Sequence, residues 1–290
     1  MKIHLIDLAR TRPLTPAPLP RGEGKFLLTA ILFVAVLLAL PSMLALVAAP
    51  RTMQLNADTV TARDGGQLLE ARGHVIITDG RLTIRADHVL YDRNSRQIQM
   101  SGSVRITTPQ GELIAGEAAA QLTRAGTLEA IQAFRGVTAR STGRMLKADR
   151  VAYQAKDDTL AATGNVVVTF PPDLTANAGV LVAKGADVIT MTGRPRIRNP
   201  DGFIEGDRLD VVAHSQIAFV RGNVVSVFGE TRITSATATL LVKENSAIFR
   251  DKVSVTRPGR TMTAELVTYY YKERRLVAEG QTTIRIQGTP

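Results

Sequence analysis

The chain has 290 residues, a formal net charge of +10 and no cysteine. The lack of cysteine excludes disulfides, thiolate metal sites and a cysteine nucleophile. Aromatic residues make up 4% of the chain and tryptophan is absent, so the core must consist of Val, Ile, Leu and Ala, which suits thin repeated layers.

The positive charge has two interpretations. The first 50 residues hold five basic and two acidic side chains, so the remainder carries +7 (10 − 3), spread along its length. A solvated basic surface is one interpretation, and an anionic partner such as nucleic acid, a membrane surface or a phosphorylated lipid is the other. Nucleic acid is disfavoured because the basic residues are not interleaved with aromatic side chains on which bases stack.

The N-terminus contains one segment long enough to cross a membrane. Residues 1–25 are predicted to be disordered and cytoplasmic, since 11–20 is rich in proline. Residues 26–49 carry no charge, and as a helix these 24 residues would span roughly 36 Å, more than a hydrocarbon core of about 30 Å. Basic residues precede this segment, which places the N-terminus in the cytoplasm and the remainder outside it. We expect a retained anchor, and a cleaved signal peptide ending in the small residues Ala48 and Ala49 is the alternative.

A repeat of about 29 residues fills the rest of the chain. An acidic marker, replaced twice by other residues, stands at Asp58, Asp87, Glu117, Asp149, Asn177, Asp207, Ala236 and Glu265. A glycine marker, replaced once by aspartate, stands at Gly73, Gly102, Gly136, Gly164, Gly193, Gly222, Asp251 and Gly280. Seven steps cover 207 residues (265 − 58), or roughly 29.6 residues each, and a fixed period of this kind is the signature of stacked units.

Each repeat is predicted to form two strands. In the second repeat Leu82, Ile84 and Ala86 alternate with polar residues, and after a turn the alternation resumes through Val104 and Ile106. Period-two alternation indicates strands with one buried face, so eight repeats predict roughly sixteen antiparallel strands. The glycines are expected to form bulges or bends, and the acidic markers are expected to be architectural, with catalysis as the alternative.

Two irregularities interrupt the repeat. The third unit spaces its markers by nineteen residues instead of fifteen, which predicts an insertion at about residues 124–127. Pro171-Pro172 is expected to mark an edge, a bulge or the boundary between two lobes meeting near residue 171.

Motifs that carry catalysis are missing from the sequence. The four histidines are isolated, with no HExxH or paired spacing, so a metal site is not expected. A Gly-x-Ser-x-Gly elbow and a Walker loop are also lacking, and the paired carboxylates Asp157 and Asp158 fall in a predicted turn. We therefore expect no enzyme activity, no cofactor and no bound metal.

The repeat resembles a known family. Ala86–Tyr91 reads Ala-Asp-x-Val-x-Tyr and is followed by Gly102-x-Val104, while Ala148–Tyr153 has the same form and is followed by Gly164-x-Val166. This combination is similar to the OstA-like domain, which is shared by periplasmic proteins of the lipopolysaccharide transport (Lpt) bridge, and the resemblance covers about residues 53–288.

The resemblance implies a fold and a function. The implied fold is all-β, a β-jellyroll of roughly sixteen antiparallel strands in an open, solenoid-like stack with an apolar interior. The implied function is to bind lipopolysaccharide or lipid A by its acyl chains and relay it from the inner to the outer membrane, without catalysis. The implied partners are other OstA-like Lpt proteins, joined end to end by edge-strand pairing, and inner-membrane transporter components. Both a tethered role (LptC-type) and a soluble role (LptA-type) in the periplasm stay open.

Candidate lipid contacts follow from the alternation. The apolar interior is predicted to be lined by Val75, Ile77, Leu82, Ile84, Val89, Val104, Ile106, Val166, Val168, Val224 and Ile233. Arg194, Arg196 and Arg198 share one strand face and are either a solvated edge or contacts for an anionic headgroup. The alternative function is a structural scaffold of the cell envelope, a closed β-solenoid with a dry core and no lipid cargo. A β-helical polysaccharide enzyme would need clustered acids outside the repeat phase, and none is evident.

Overall fold

The computed structural model describes residues 54–286, except 79, 81, 142, 172 and 186. The predicted disordered region 1–25 and the predicted anchor or signal peptide 26–49 lie outside the described residues. Over the described range, no helix has both the length and the hydropathy needed to cross a bilayer.

The described chain consists almost entirely of β-strands. They are β1 (Gln54–Asn56), β2 (Thr59–Arg63), β3 (Leu68–Thr78), β4 (Thr83–Asp92), β5 (Gln97–Thr108), β6 (Gly111–Leu122), β7 (Leu128–Ser141), β8 (Arg144–Gln154), β9 (Thr159–Phe170), β10 (Leu174–Lys184), β11 (Val188–Thr192), β12 (Arg196–Asn199), β13 (Gly202–Glu205), β14 (Arg208–Val212), β15 (Ile217–Phe228), β16 (Thr231–Leu241), β17 (Ser246–Arg257), β18 (Arg260–Tyr270), β19 (Arg275–Glu279) and β20 (Thr283–Ile286). A short 3-10 turn, Asp64–Gly66, joins β2 to β3.

Four pairs of short strands are each the halves of one longer strand, because both members pair with the same neighbour. Strands β1 and β2 both pair with β3, and β19 and β20 both pair with β18. In the same way β11 and β12 both pair with β10, and β13 and β14 both pair with β15. Counted in this way, sixteen long strands form one sheet, each antiparallel to its neighbours in the chain, which confirms the predicted all-β fold.

Every second long strand contains a bulge at the glycine marker. In β5 the register advances by three residues from Ser101 to Val104, while the partner strand β6 advances by two. Gly102 and Ser103, which lie in between, have φ angles of +76° and +50°. Register shifts recur at the equivalent places in β3, β7, β9, β15 and β17. A bulge bends its strand and increases the local twist. The prediction that the glycine markers form bulges or bends is therefore confirmed.

The bend turns both halves of each long strand toward one interior. In β5, Met100 before the bulge and both Val104 and Ile106 after it are buried. Their neighbours Gln99 and Arg105 are exposed on the outer face. Because alternate residues on both halves face inward, the buried side chains of successive strands form one continuous apolar cluster.

The acidic marker lies directly beside the glycine of its own repeat, on the adjacent strand. A Cβ atom added to Gly102 would clash with Oδ2 of Asp87. The same clash would occur between Gly73 and Asp58, Gly164 and Asp149, Gly222 and Asp207, and Gly280 and Glu265. The carboxylate therefore occupies space that only glycine leaves free, at a backbone conformation that also favours glycine.

The residue after the glycine bonds to the same carboxylate. Asn165 Nδ2 donates a hydrogen bond of 3.0 Å to Asp149 Oδ2, and Asn223 does the same in the sixth repeat. His74 Nδ1 lies 2.9 Å from Asp58 Oδ2, and this hydrogen bond raises the pKa of His74. The carboxylates thus hold the bulges in place, which supports their architectural interpretation over a catalytic one.

Two repeats keep this arrangement with different residues. In the seventh repeat Ala236 takes the acidic position and Asp251, at φ +65°, takes the glycine position, so the small and acidic residues exchange strands. In the third repeat Arg135 Nη1 lies 3.0 Å from Glu117 Oε1, and the neighbouring Gly116 leaves space for the arginine side chain. A small residue opposite a charged one is therefore the common feature of seven corners, and in the fifth repeat Gly193 faces Gly179 instead.

The two predicted irregularities are turns in the structure. The insertion after β6 closes on itself through the backbone hydrogen bond from Thr123 N to Thr127 O, at 2.8 Å. Pro171 lies in the turn between β9 and β10, and these strands pair along their whole length, from Phe170 with Leu174 onward. The ladder continues across this turn, and a division into two lobes near it stays a prediction.

We expect Gly164→Ala to lower the free energy of unfolding by about 2 kcal/mol or more, because alanine would have to adopt a left-handed φ and would clash with Asp149. Gly126→Ala is the matched control: Gly126 also has a positive φ, +77°, but no atom lies within 4 Å of its added Cβ, so a loss of about 1 kcal/mol is expected. Urea unfolding followed by circular dichroism measures both. Adding Asp149→Ala to Gly164→Ala should recover part of the loss, and equal losses in the two glycine variants would contradict the contact.

Candidate functional site

The structure places the eleven predicted interior residues in the apolar interior. Nine are buried, namely Val75, Ile84, Val89, Val104, Ile106, Val166, Val168, Val224 and Ile233. Ile77 and Leu82 are partly buried and pack against the same cluster. Contact between these side chains and a lipid stays a prediction.

The interior offers a hydrocarbon environment and little polar chemistry. Its buried polar side chains, among the residues described, are Asn199, Ser226, Thr231, Ser235 and Ser246. Burying an alkyl chain in such surroundings contributes about 0.8 kcal/mol per methylene. Within the described ranges, no group of three or more His, Cys, Asp or Glu residues is placed to hold a metal ion. The interior is therefore suited to the burial of apolar groups and not to polar or metal chemistry.

Both ends of the interior are uncovered. At the first strand Leu55 and Val60 are 39% and 51% exposed, although they continue the inward phase of β3. At the last strand Ile284 and Ile286 are 60% and 78% exposed. In the part of the chain that the structure describes, each terminal strand pairs on one side only. Exposed apolar side chains and unpaired backbone groups at a sheet edge form a surface for strand addition.

A cleft of about 860 Å³ opens beside the interior near the C-terminal end of the sheet. One wall consists of the β12–β13, β15–β16 and β17–β18 turns, and the other is the β18–β19 turn. These walls belong to opposite ends of the strands, which approach each other because the sheet bends along its line of bulges. Phe228, Tyr269 and Tyr271 form the floor, where the rings of Phe228 and Tyr269 stack at 5.0 Å and Tyr271 contacts Phe228 edge-on at 5.2 Å.

Charged side chains surround these rings, namely three arginines and the carboxylates of Asp201 and Glu230. The arginines that line the cleft are Arg257, Arg260 and Arg274. Arg257 Nε donates a hydrogen bond of 2.9 Å to Thr231 Oγ1. Burial raises the pKa of Tyr269, and the positive charges of Arg257 and Arg274 counteract part of this effect. Burial raises the pKa of Tyr271 well above its ordinary value, and its hydroxyl has no hydrogen-bond partner among the described residues.

The three arginines predicted as headgroup contacts lie on the outer side of the sheet. Arg194 is in the bulge between β11 and β12, at φ +58°. Arg196 Nε donates a hydrogen bond of 2.6 Å to Glu205 Oε2, and its guanidinium lies 4.4 Å from the ring centre of Phe203. Arg198 is exposed on the same outer face. Contact with an anionic headgroup at these positions stays a prediction.

The cleft was not predicted from the sequence, although one signal pointed to it. Three of the five tyrosines of this aromatic-poor chain stand together at Tyr269, Tyr270 and Tyr271. A run of this kind interrupts the aliphatic pattern of the inward positions. It marks a strand end where three aromatic rings, those of Phe228, Tyr269 and Tyr271, pack together.

Comparisons with known proteins find a family model that matches part of the chain. Residues 54–190 match the family model described as LptA/(LptD N-terminal domain) LPS transport protein. Among solved structures, the chain is similar to LptH of Pseudomonas aeruginosa, the LptA-homologous periplasmic component of a lipopolysaccharide transport device. The identity is 16% and the TM-score 0.26, over 50% of this chain and 95% of that chain. A search of curated proteins finds no match.

The family match begins at the first described strand and ends in the fifth repeat. The contact between carboxylate and glycine that marks the matched repeats, as at Gly73 and Gly102, recurs beyond the match at Gly222 and Gly280. The same structural unit therefore continues to the last strand. Over residues 54–190, which are 137 of its 290 residues (190 − 53), the chain matches the LptA/LptD N-terminal, or OstA-like, family of lipopolysaccharide transport proteins.

Proposed function

We propose that the protein is a periplasmic carrier that receives lipopolysaccharide and relays it from the inner to the outer membrane, with the acyl chains held in its apolar interior. The observation that carries this proposal is the single apolar cluster that runs through the stack and is uncovered at both ends. The description of the matched family as a lipopolysaccharide transport protein supports it. Holding acyl chains by burial needs no covalent step, so the proposed function is not catalytic.

The proposed partners are other OstA-like proteins of the bridge and inner-membrane transporter components, joined by edge-strand pairing. The apolar side chains of Leu55 and Val60 mark one end, and those of Ile284 and Ile286 mark the other. A strand added by a partner would complete the backbone hydrogen bonds of the edge and cover these side chains. The interiors of the two proteins would then be continuous.

A structural scaffold is the second candidate, and one observation favours it. Val104, Leu146 and Val168 are 0% exposed, so the interior is filled by its own side chains along much of the sheet. A carrier must open between the two halves of its strands to admit acyl chains, whereas a closed β-solenoid of the envelope keeps this packing. The two candidates differ in whether lipid co-purifies with the folded protein.

We expect Val166→Glu to abolish the retention of lipopolysaccharide, because it places a carboxylate in the apolar interior. Val167→Glu is the matched control, since Val167 points outward from the same strand. Lipid that co-purifies with the full chain in mild detergent is quantified by mass spectrometry, and circular dichroism monitors the fold. Ile84→Asp provides a second interior variant nearer the N-terminal end.

The outcomes of this experiment separate the two candidates. Lipid in stoichiometric amount with the unmodified protein and with Val167→Glu, but not with the interior variants, would support the carrier. A folded, unmodified protein without lipid would favour the scaffold. Unchanged lipid in both interior variants would contradict the assignment of the interior as the binding site.

We expect the double variant Ile284→Lys/Ile286→Lys to weaken end-to-end association, because charged side chains at a sheet edge oppose strand addition. Both side chains are exposed, so the free energy of unfolding should change by less than about 0.5 kcal/mol. Val188→Lys is the control, an exposed apolar residue on a strand that is paired on both sides. Analytical ultracentrifugation over a range of concentrations measures association, and equal effects of the two substitutions would argue against end pairing.

We further propose that residues 26–49 tether the carrier to the inner membrane, as in an LptC-type component. The intact mass of the protein recovered from the membrane fraction should then be that of the whole chain, 31.3 kDa. A mature protein that lacks the first 49 residues and is recovered from the periplasmic fraction would instead indicate a cleaved signal peptide and an LptA-type role.

A further inference from the structure

We propose that the cleft above Phe228, Tyr269 and Tyr271 binds the phosphorylated sugar headgroup of an amphiphile, with Arg257 and Arg260 contacting the phosphate and Tyr271 donating a hydrogen bond to it. The inference rests on the proposed carrier function. It adds the position along the sheet at which the polar end of the cargo is held.

Among the described residues, neither Arg257 nor Arg260 is paired with a carboxylate. By contrast, Arg196 and Arg221 pair with Glu205 and Asp210. Arg257 uses one of the five N–H donors of its guanidinium in the hydrogen bond to Thr231. The two arginines are also direct cross-strand partners in the β17–β18 hairpin. Like charges in opposed positions destabilise a strand pair, and an anion bound between them removes the repulsion.

Tyr271 supplies a second, independent observation. The residue is 7% exposed and lines the cleft, and its hydroxyl oxygen is buried without a partner among the described residues. Buried hydroxyls are nearly always hydrogen-bonded, so an unpaired one beside a cleft indicates a missing acceptor. A phosphate oxygen or a sugar oxygen in the cleft would be that acceptor.

The size and floor of the cleft favour an amphiphile over a free anion. A volume of about 860 Å³ greatly exceeds that of one phosphate. The three rings of the floor belong to the apolar cluster of the interior, so a ligand held here could continue as an alkyl chain below it. Asp201 and Glu230 also line the cleft, which disfavours a polyanion and provides acceptors for sugar hydroxyls.

The test compares the binding of two lipid probes that differ only in the presence of phosphate. These are lipid A bearing its phosphates and the same lipid A after dephosphorylation, each offered to the full chain in dodecyl maltoside micelles. The variant Arg257→Gln/Arg260→Gln is set against Arg232→Gln/Arg250→Gln, which removes the same charge from exposed positions of β16 and β17. We expect the cleft variant to weaken binding of the phosphorylated probe about tenfold or more and to leave the dephosphorylated probe unchanged. The control variant should change neither affinity.

Tyr271→Phe keeps the ring and removes the hydroxyl, so it tests the hydrogen bond without disturbing the packing of the floor. We expect a loss of about threefold for the phosphorylated probe. Inorganic pyrophosphate is the third arm, and we expect it to compete only at concentrations far above those of the lipid. Circular dichroism verifies that all variants are folded.

Four other outcomes of these binding measurements would each overturn a stated part of the proposal. Equal losses for both probes would overturn the assignment of the arginines to phosphate. No loss for either probe would overturn the cleft as a headgroup site while leaving the carrier function intact. Pyrophosphate binding as tightly as lipid would show that the ligand is a free anion. An unmodified protein that binds neither lipid would overturn the carrier function itself.

Discussion

The contact between a carboxylate and a glycine, present at five of the eight corners, is the interaction on which the rest of this structure depends. A bulge formed by two residues of positive φ is unfavourable unless its surroundings hold it. Here the carboxylate of Asp149 fills the space beside Gly164 and accepts a hydrogen bond from Asn165. One acidic residue therefore stabilises the positive φ angles of both bulge residues. Repetition of this corner bends the whole sheet along one line. The bend brings the two apolar faces together and creates the interior.

The repeat, the strand number and the inward positions could be predicted because all three depend on local patterns. Alternation identifies the inward face of a strand, and a period of about 29 residues identifies the unit. The acidic and glycine markers were also visible, but separate roles were predicted for them, an architectural one for the acids and a bulge or bend for the glycines. Their contact depends on strand register, which places residues fifteen apart in sequence, such as Asp87 and Gly102, side by side on neighbouring strands.

The cleft could not be predicted because it depends on geometry that accumulates over several repeats. Phe228 and Tyr269 belong to strands that are not paired with each other. Their rings stack because the bend of the sheet at its bulges brings opposite ends of the strands together. Alternation likewise places Arg196 and Arg198 on one face, but it does not say whether that face is turned toward the interior or away from it. In the structure Arg196 is engaged with Glu205 and Phe203 on the outside. Positive charge at the opening is supplied by Arg257 and Arg260 instead.

The pairing of each strand with its chain neighbours has a consequence for how this protein acquires its structure. Among the described cross-strand backbone pairs, the residues farthest apart in sequence are Glu112 and Arg140, separated by 28 positions (140 − 112). An all-β chain of this size usually folds slowly because distant segments must find each other, and that delay does not arise here. Each hairpin carries its own corner, so order can start in any repeat and spread outward one unit at a time. The same logic governs unfolding: the two terminal strands have a neighbour on one side only, and they are the places where the stack frays first.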